Sequence, residues 1–392
     1  MSLTTATQAD ERNPQIVVVA LAVAGLFALA AFGAREAGWR QAALAGVGFF
    51  AGFALHRASF GFASSWRRMM FDARGRGVRA QILMIALAIA VFFPALEGGA
   101  IFGQPAAGFV MPVGLALCVG AFLFGVGMQL AGGCGSGTLY TAGGGSLRMI
   151  AALGAFVLGS LVATADPLSW REWPDIGAHS LVEALGATKS LAIAFAILLA
   201  AYAGAYGLER ARHGAVEPLA STRGERGLLW GPWPALAGAA ALAFVNIATL
   251  ALAGRPWGIT SGFALWGAKI AAAAGLDVAS WPYWRDEAAL ARSLFADATS
   301  VMNFAIMLGA AAAAGLAAVF SPRIDVAARS LAAAVVGGLI MGLGARLSTG
   351  CNIGGFFSGV ASGSLHGLVW LAFAVPGALI GARLRPWFGL SL

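Results

Sequence analysis

Two cysteines, Cys134 and Cys351, lie in matching glycine-rich stretches in the two halves of the chain. The first stretch covers residues 125–137 and reads GVGMQLAGGCGSG, and the second covers residues 342–354 and reads GLGARLSTGCNIG. When cysteine is aligned with cysteine, four glycines also match, namely Gly125, Gly127, Gly133 and Gly137 with Gly342, Gly344, Gly350 and Gly354. The repetition indicates that both stretches serve one site.

The chemical groups in these stretches suit the binding of a soft anion. Hydroxyls and one amide accompany the thiols, and glycine leaves backbone N–H groups unhindered, so a helix starting there can bind an anion without a fixed counter-charge. A thiol is mostly protonated at neutral pH, and its weak S–H donor can bind the sulfur of an anion and release it. The predicted substrate-binding residues are Cys134, Cys351, Ser136, Thr349, Asn352, Arg346, Gly133 and Gly350.

Arg346 in the second stretch occupies the place that Gln129 has in the first. An arginine within a membrane segment attracts anions, pairs locally, or extends its side chain to the membrane surface, and the sequence leaves these readings open. The third cysteine, Cys118, stands alone in an apolar run and is interpreted as a structural residue. An odd number of cysteines in apolar or glycine-rich surroundings predicts no disulfide framework.

The composition excludes a soluble protein. Of the 392 residues, 59% are hydrophobic and only 11% are charged, whereas a soluble domain has about 25% charged residues. The 55 glycines suit close helix packing in a lipid bilayer. The net charge of +8 comes from arginines scattered between apolar runs, so it indicates membrane topology rather than nucleic-acid binding.

Ten apolar runs approach the roughly 20 residues that a membrane span needs. They cover approximately residues 16–34, 41–56, 80–97, 108–131, 149–164, 189–207, 234–253, 297–320, 330–347 and 366–383. A further apolar piece at 259–276 is either another span or a re-entrant segment. We divide the chain into a polar tail at 1–15, a first membrane half at 16–188 with the Cys134 loop, and a second at 189–392 with the Cys351 loop.

The charges of the connecting loops predict which side of the membrane each loop occupies. The loop between the second and third spans is placed in the cytoplasm by its arginines, Arg67, Arg68, Arg74, Arg76 and Arg79. Alternation of the spans then places both termini in the cytoplasm, together with the basic loop 208–228. The more acidic loops 165–188 and 277–296 fall in the periplasm, which agrees with their charge.

The two cysteine stretches follow spans that end on opposite sides of the membrane in this topology. Five spans plus five in opposite orientation is the inverted-repeat plan of many transporters. Glycine-rich, irregular backbone at membrane depth is tolerated only inside protein or along an aqueous cavity. The predicted fold is therefore an all-α polytopic membrane protein with about ten transmembrane helices in two inverted, pseudo-symmetric halves, whose re-entrant glycine-rich cysteine loops face one central path.

Three strings carry a resemblance to a known family. Residues 127–140 read GMQLAGGCGSGTLY, residues 346–355 read RLSTGCNIGG, and residues 57–62 read RASFGF. These strings resemble the signatures of the YeeE/YedE family, and the similarity covers roughly residues 41–383. The resemblance implies an all-helical inner-membrane importer of thiosulfate in which loop cysteines pass the anion along by S–H···S hydrogen bonds. It matches Cys134 and Cys351 with the two later family cysteines.

The earliest of these signatures departs from the family pattern. It often reads Phe-Cys-Phe, whereas this chain has Phe60-Gly61-Phe62, so one thiol of the implied relay is missing. Some relatives carry or pair with a small soluble sulfur-carrier domain. Because this chain stops at Leu392, just after its last predicted span, the resemblance implies that a sulfur-carrier protein would act in trans.

Other functions fit the sequence less well. The histidines show no metal-ligand spacing, and no phosphate-binding P-loop is present, so we expect no metal centre, no cofactor and no ATP-driven pumping. Two alternatives stay open: a carrier of selenium compounds or soft metal, because thiols bind soft solutes, and a membrane-embedded thiol enzyme that handles a sulfur donor. The enzyme needs an activating base beside a thiol, and none is near in sequence, so a transporter without catalytic residues is predicted.

Overall fold

The computed structural model describes residues 13–221, 231–285, 288–322 and 326–392. Its α-helices are α1 (Ile16–Ala37), α2 (Trp39–Ala58), α3 (Phe62–Asp72), α4 (Arg76–Glu97), α5 (Leu115–Ala131), α6 (Gly135–Gly143), α7 (Leu147–Thr164), α8 (Leu181–His213), α9 (Ala235–Ala253), α10 (Thr260–Ala273), α11 (Ala298–Leu316), α12 (Ala328–Leu347), α13 (Gly359–Ala361) and α14 (Leu365–Leu384). A π-helix (Asn352–Ser358) precedes α13. Two small antiparallel sheets pair β1 (Ala100–Ile101) with β2 (Gln104–Pro105), and β3 (Pro112–Gly114) with β4 (Asp175–Ala178).

Ten segments of the described chain are long and apolar enough to cross a membrane, which confirms the predicted spans. Three of them are broken into a long and a short helical part: α2 with α3, α5 with α6, and α12 with the π-helix and α13. The apolar piece at 259–276 forms α10, whose 14 residues extend about 21 Å and fall short of a hydrocarbon core of about 30 Å. This helix therefore fits the re-entrant reading and not an eleventh span.

The two ends of the helix bundle differ in character. One end carries ion pairs that join the α3–α4 region to the end of α8 and to the segment after it, including Arg79 with Glu209 at 2.9 Å and Arg68 with Glu217 at 2.9 Å. We call it the arginine-rich face. The opposite end carries the four β-strands and is called the strand face. The loop that was predicted to be cytoplasmic from its arginines lies on the arginine-rich face.

The helices of the two halves pack in matching pairs. α7 packs on α12 as α14 packs on α5, and α2 packs on α11 as α9 packs on α4. α5 follows β3 on the strand face and reaches Gln129 near its end, where the Gln129 side chain accepts a hydrogen bond from Arg67. α12 runs in the opposite direction and ends at the strand face. Arg346, in its last turn, lines a cavity together with Met111, which directly precedes β3. The two halves are thus inverted relative to each other, as predicted.

Glycines at helix crossings allow the backbones to touch. A Cβ atom on Gly52 of α2 would overlap the backbone of Ile306, and a Cβ atom on Gly309 of α11 would overlap the backbone of Phe49. Small residues permit such close approach in membranes, where packing rather than water exclusion holds helices together. The reciprocal contact explains part of the high glycine content.

Some of the predicted boundaries lie at or beyond the described residues. Most of the tail 1–15 lies outside them, and so do parts of the loops 208–228 and 277–296. The predicted boundary between residues 188 and 189 falls within α8, which bends at Gly186. The division of the chain at that point stays a prediction.

Candidate functional site

Cys134 and Cys351 lie side by side where the two broken helices are interrupted. Cys134 directly precedes α6 and is 1% exposed, and Cys351 directly precedes the π-helix and is 0% exposed. A Cβ atom on Gly135 would stand 3.2 Å from the Cys351 Sγ, so the backbone that follows one cysteine lies against the sulfur of the other. The two sulfurs are also close enough to interact electrostatically. The structure therefore brings the two cysteine loops together, as the repeat predicts.

Backbone amides point at both sulfurs from the starts of short helices. The N–H groups of Ser136 and Gly137 in α6 lie within hydrogen-bonding reach of the Cys134 sulfur, and so does the N–H group of Phe62, the first residue of α3. The N–H groups of Ile353 and Gly354 lie within reach of the Cys351 sulfur. Because helix N-termini carry partial positive charge, the space beside the sulfurs favours an anion.

Asn352 is a buried polar side chain whose hydrogen bonds are unmet. It is 0% exposed, and neither its Nδ2 nor its Oδ1 atom has a hydrogen-bond partner among the described residues. A buried polar group left unpaired costs about 1–3 kcal/mol, so native proteins seldom retain one without a reason. Ser136 adds a hydroxyl on the other loop, with its Oγ 3.4 Å from the Cys134 Sγ. The site thus has polar capacity for a bound solute.

Arg346 lies inside the protein and does not extend to the membrane surface. Its side chain donates to the Tyr283 hydroxyl at 3.0 Å and to the Thr260 Oγ1 at 2.8 Å, while its Nε finds no partner. The residue is 6% exposed. The ion pairs of the described chain involve only Glu209 and Glu217 as acids, so Arg346 has no carboxylate partner there. An uncompensated buried guanidinium favours an anion.

A cavity of about 450 Å³ leads from the strand face to the Cys351 loop. Its lining includes Arg346, Thr349 and Gly350 of the loop region, together with Arg255 and Tyr283. Arg255 and Arg346 are charged and the described lining contains no Asp or Glu, so the described residues give this cavity a positive electrostatic character. The sequence did not single out Arg255 or Tyr283 as site residues, because each lies in a loop far from both cysteines. The one available signal was a basic residue directly before the re-entrant apolar piece.

The backbone just before each cysteine has an unusual conformation. Thr349 has a φ of 58°, and the matching residue of the first loop, Gly132, has a φ of 86°. A positive φ is unfavourable for a β-branched residue, and such strain concentrates at functional sites. Gly133 and Gly350 lie between these residues and the cysteines and are crowded by backbone, since a Cβ on Gly350 would overlap the backbone of Gly355. These two glycines allow the compact shape of the loops, and each could bind a solute only through its backbone N–H group.

The position of the missing family thiol lies next to this centre. Gly61 directly precedes α3, so it adjoins the amide of Phe62 that faces Cys134. Its φ of −129° is open to any residue, and a Cβ there would stand 2.8 Å from the Ser64 Oγ. Glycine is therefore not required by the backbone at this position. Cys118, in contrast, lies in the first turn of α5 and is partly exposed.

The fold and the site together define a membrane transport protein of the inverted-repeat type, with paired thiols where broken helices meet. Residues 57–380 match the family described as Sulphur transport, and the chain belongs to this family, which includes the YeeE/YedE proteins.

Individual relatives show how far the similarity extends. The chain is 30% identical over 165 residues to the probable transporter YedE of Escherichia coli K12, a match that covers 42% of this chain and 40% of that protein. It is 27% identical over 344 residues to the thiosulfate transporter TsuA of Spirochaeta thermophila, covering 83% of this chain and 92% of that protein. The match to YedE thus spans less than half of that relative, whereas the match to TsuA spans nearly all of it.

Proposed function

We propose that this protein imports a small sulfur oxyanion, thiosulfate, through a path lined by Cys134 and Cys351. The observation that carries the proposal is the contact between the two cysteine loops, where the Gly135 backbone meets the Cys351 sulfur. Gly350 and Gly354 of the second loop line a cavity whose described residues include no Asp or Glu. Membership of the sulfur transport family and the similarity to a protein named as a thiosulfate transporter support the choice of solute.

The groups at the site divide the work of binding such an anion. Arg346 attracts the anion into the cavity on the strand face, and the Thr349 hydroxyl and the amide of Gly350 receive it there. The buried amide of Asn352 binds an oxygen of the anion, and the thiols donate weakly to its terminal sulfur. Ser136 and the amide of Gly133 complete the other loop. Weak donors in series suit transport, because a solute must be bound and then released.

The predicted topology gives the proposed direction of transport. If the arginine-rich face is cytoplasmic, the strand face and its cavity are periplasmic, and the solute enters beside Arg346. This arrangement is that of a multi-pass protein of the bacterial inner membrane with both termini in the cytoplasm. A soluble sulfur-carrier protein acting in trans could receive the solute on the arginine-rich face.

We expect saturable uptake of radiolabelled thiosulfate when the purified protein is reconstituted in liposomes. Unlabelled thiosulfate should suppress that uptake, whereas sulfate and selenite should leave it within twofold, because only thiosulfate combines a soft sulfur with an oxyanion. Liposomes without protein provide the background.

Two outcomes would contradict this function. Uptake of Cu(I) or selenite by the same liposomes, without any thiosulfate uptake, would favour the soft-solute carrier. A persulfide trapped on Cys134 or Cys351 during turnover would favour the thiol enzyme. Within the described residues, no three His, Cys, Asp or Glu side chains form a group that could hold a metal ion, so the soft-metal reading gains no support from a ligand cluster.

A further inference from the structure

A second cavity lies beyond Cys134 on the side of the arginine-rich face. Its volume is about 540 Å³, and its lining includes His56, Ser59, Tyr140, Thr141, Ser146 and Arg148. Six of the thirteen described lining residues carry a hydroxyl, and the described lining contains no Asp or Glu. Like the cavity at Arg346 on the opposite face, it contains arginine and no acidic side chain among its described lining residues. The two cavities therefore place an arginine-containing compartment on each side of the thiols.

Tyr140 connects Cys134 to this second cavity. It belongs to α6, the short helix that begins directly after Cys134, and it is close enough to Cys134 to interact with it electrostatically. Its hydroxyl lies 3.9 Å from the place where a Cβ on Gly61 would stand. The phenol thus occupies the space beside the start of α3, where this chain has no side chain at residue 61.

The phenol has the chemistry to continue the path. A tyrosine hydroxyl is a stronger donor than a thiol and bonds well to oxyanion oxygens. The Thr141 side chain lies close to this hydroxyl and also lines the cavity. The competing explanation is that Tyr140 only packs, since its ring lies edge-on to His56 with centroids 6.5 Å apart. A phenylalanine would preserve that packing and would lose only the hydroxyl.

We propose that the Tyr140 hydroxyl is the binding group that follows Cys134 and passes the oxyanion into the hydroxyl-lined cavity, in place of a side chain at Gly61. This inference rests on the proposed function, because it assigns the next station on the same path. The hydroxyl donates to an oxygen of the anion as the anion leaves the Cys134 thiol, and no covalent bond is formed or broken.

The test compares thiosulfate uptake in liposomes by Tyr140→Phe, by the same variant with Gly61→Cys and Ser64→Ala added, and by Tyr206→Phe. We expect Tyr140→Phe to lower the maximal rate about tenfold while KM stays within twofold, because entry at Arg346 is unchanged. The added thiol should restore at least half of the wild-type rate, with Ser64→Ala removing the Oγ that would crowd the new side chain. Tyr206→Phe, on the peripheral helix α8, should match the wild type.

Two results would overturn the role of Tyr140: a rate for Tyr140→Phe within twofold of the wild type, or a loss that the new thiol does not restore. The variant that lacks the thiols of both Cys134 and Cys351 is measured beside them. If that variant transports normally, the proposed function itself fails. If uptake is lost without the thiols but is unchanged in Tyr140→Phe, only the present inference fails.

Discussion

Replacing Gly135 with valine should abolish thiosulfate uptake, with a rate at least 100-fold below that of the wild type. The Cβ of any side chain at this position would stand 3.2 Å from the Cys351 Sγ and 3.5 Å from the Cγ2 of Ile259. The branched side chain of valine would add two methyl groups to that narrow space. The smaller change Gly135→Ala should lower the rate about tenfold by the same crowding.

Gly137→Ala is a matched control for this prediction. Gly137 lies in the same short helix, and a Cβ there would meet only the Cys134 Sγ, at an ordinary contact distance of 3.7 Å. Alanine favours a helix over glycine by about 1 kcal/mol, so neither alanine variant should lose stability through helix propensity. Equal uptake by Gly135→Val and the wild type, with both proteins monodisperse in detergent, would show that the solute does not pass between the two loops.

Replacing Arg346 with glutamine should raise the KM for thiosulfate about 10- to 100-fold and leave the maximal rate less affected. Hydrogen bonds to a charged group contribute about 1.5–3 kcal/mol, which corresponds to this range of affinity. Tyr283 and Thr260 hold the guanidinium at the cavity, so its position does not depend on the solute. Initial uptake rates over a range of thiosulfate concentrations measure the effect.

Charge and ionic strength separate the role of Arg346 from a structural one. Arg346→Lys keeps the charge and should recover part of the affinity, although lysine cannot reproduce both hydrogen bonds. Raising the salt concentration should increase the KM of the wild type more than that of Arg346→Gln, because salt screens the attraction. Lys189→Gln removes one positive charge from the exposed surface of α8 and should leave KM unchanged. An unaltered KM in Arg346→Gln would contradict an anion-attracting role.

The sequence was sufficient to predict the elements of the fold that follow from local pattern and repetition. Long apolar runs predict spans because a bilayer imposes a length, and the described helices agree with those runs. The paired glycine–cysteine stretches predict that Cys134 and Cys351 share a site, since an inverted repeat brings equivalent loops to one axis. Both features can be recognised from short stretches of sequence, without knowledge of contacts between distant residues.

Features created by distant contacts could not be predicted in the same way. Arg346 is held by Thr260, 86 positions away, and no local pattern indicates that partner. The amide of Phe62 reaches Cys134 only because the folded chain places the first residue of α3 beside the start of α6. That Asn352 lacks hydrogen-bond partners among the described residues can be recognised only once the neighbouring donors and acceptors have positions. The two loops also differ, because a π-helix follows Cys351 where an α-helix follows Cys134.

Thiosulfate uptake by a protein in which only Cys134 and Cys351 are changed to alanine tests the assignment of the solute path most directly. This double substitution removes both sulfhydryl groups and leaves the loop backbone unchanged. Cys118→Ala, which removes a thiol elsewhere in the protein, serves as the control. We predict a loss of at least tenfold in the double variant and a wild-type rate in the control. Undiminished uptake by the double variant would contradict any role for those two sulfur atoms in conducting the anion.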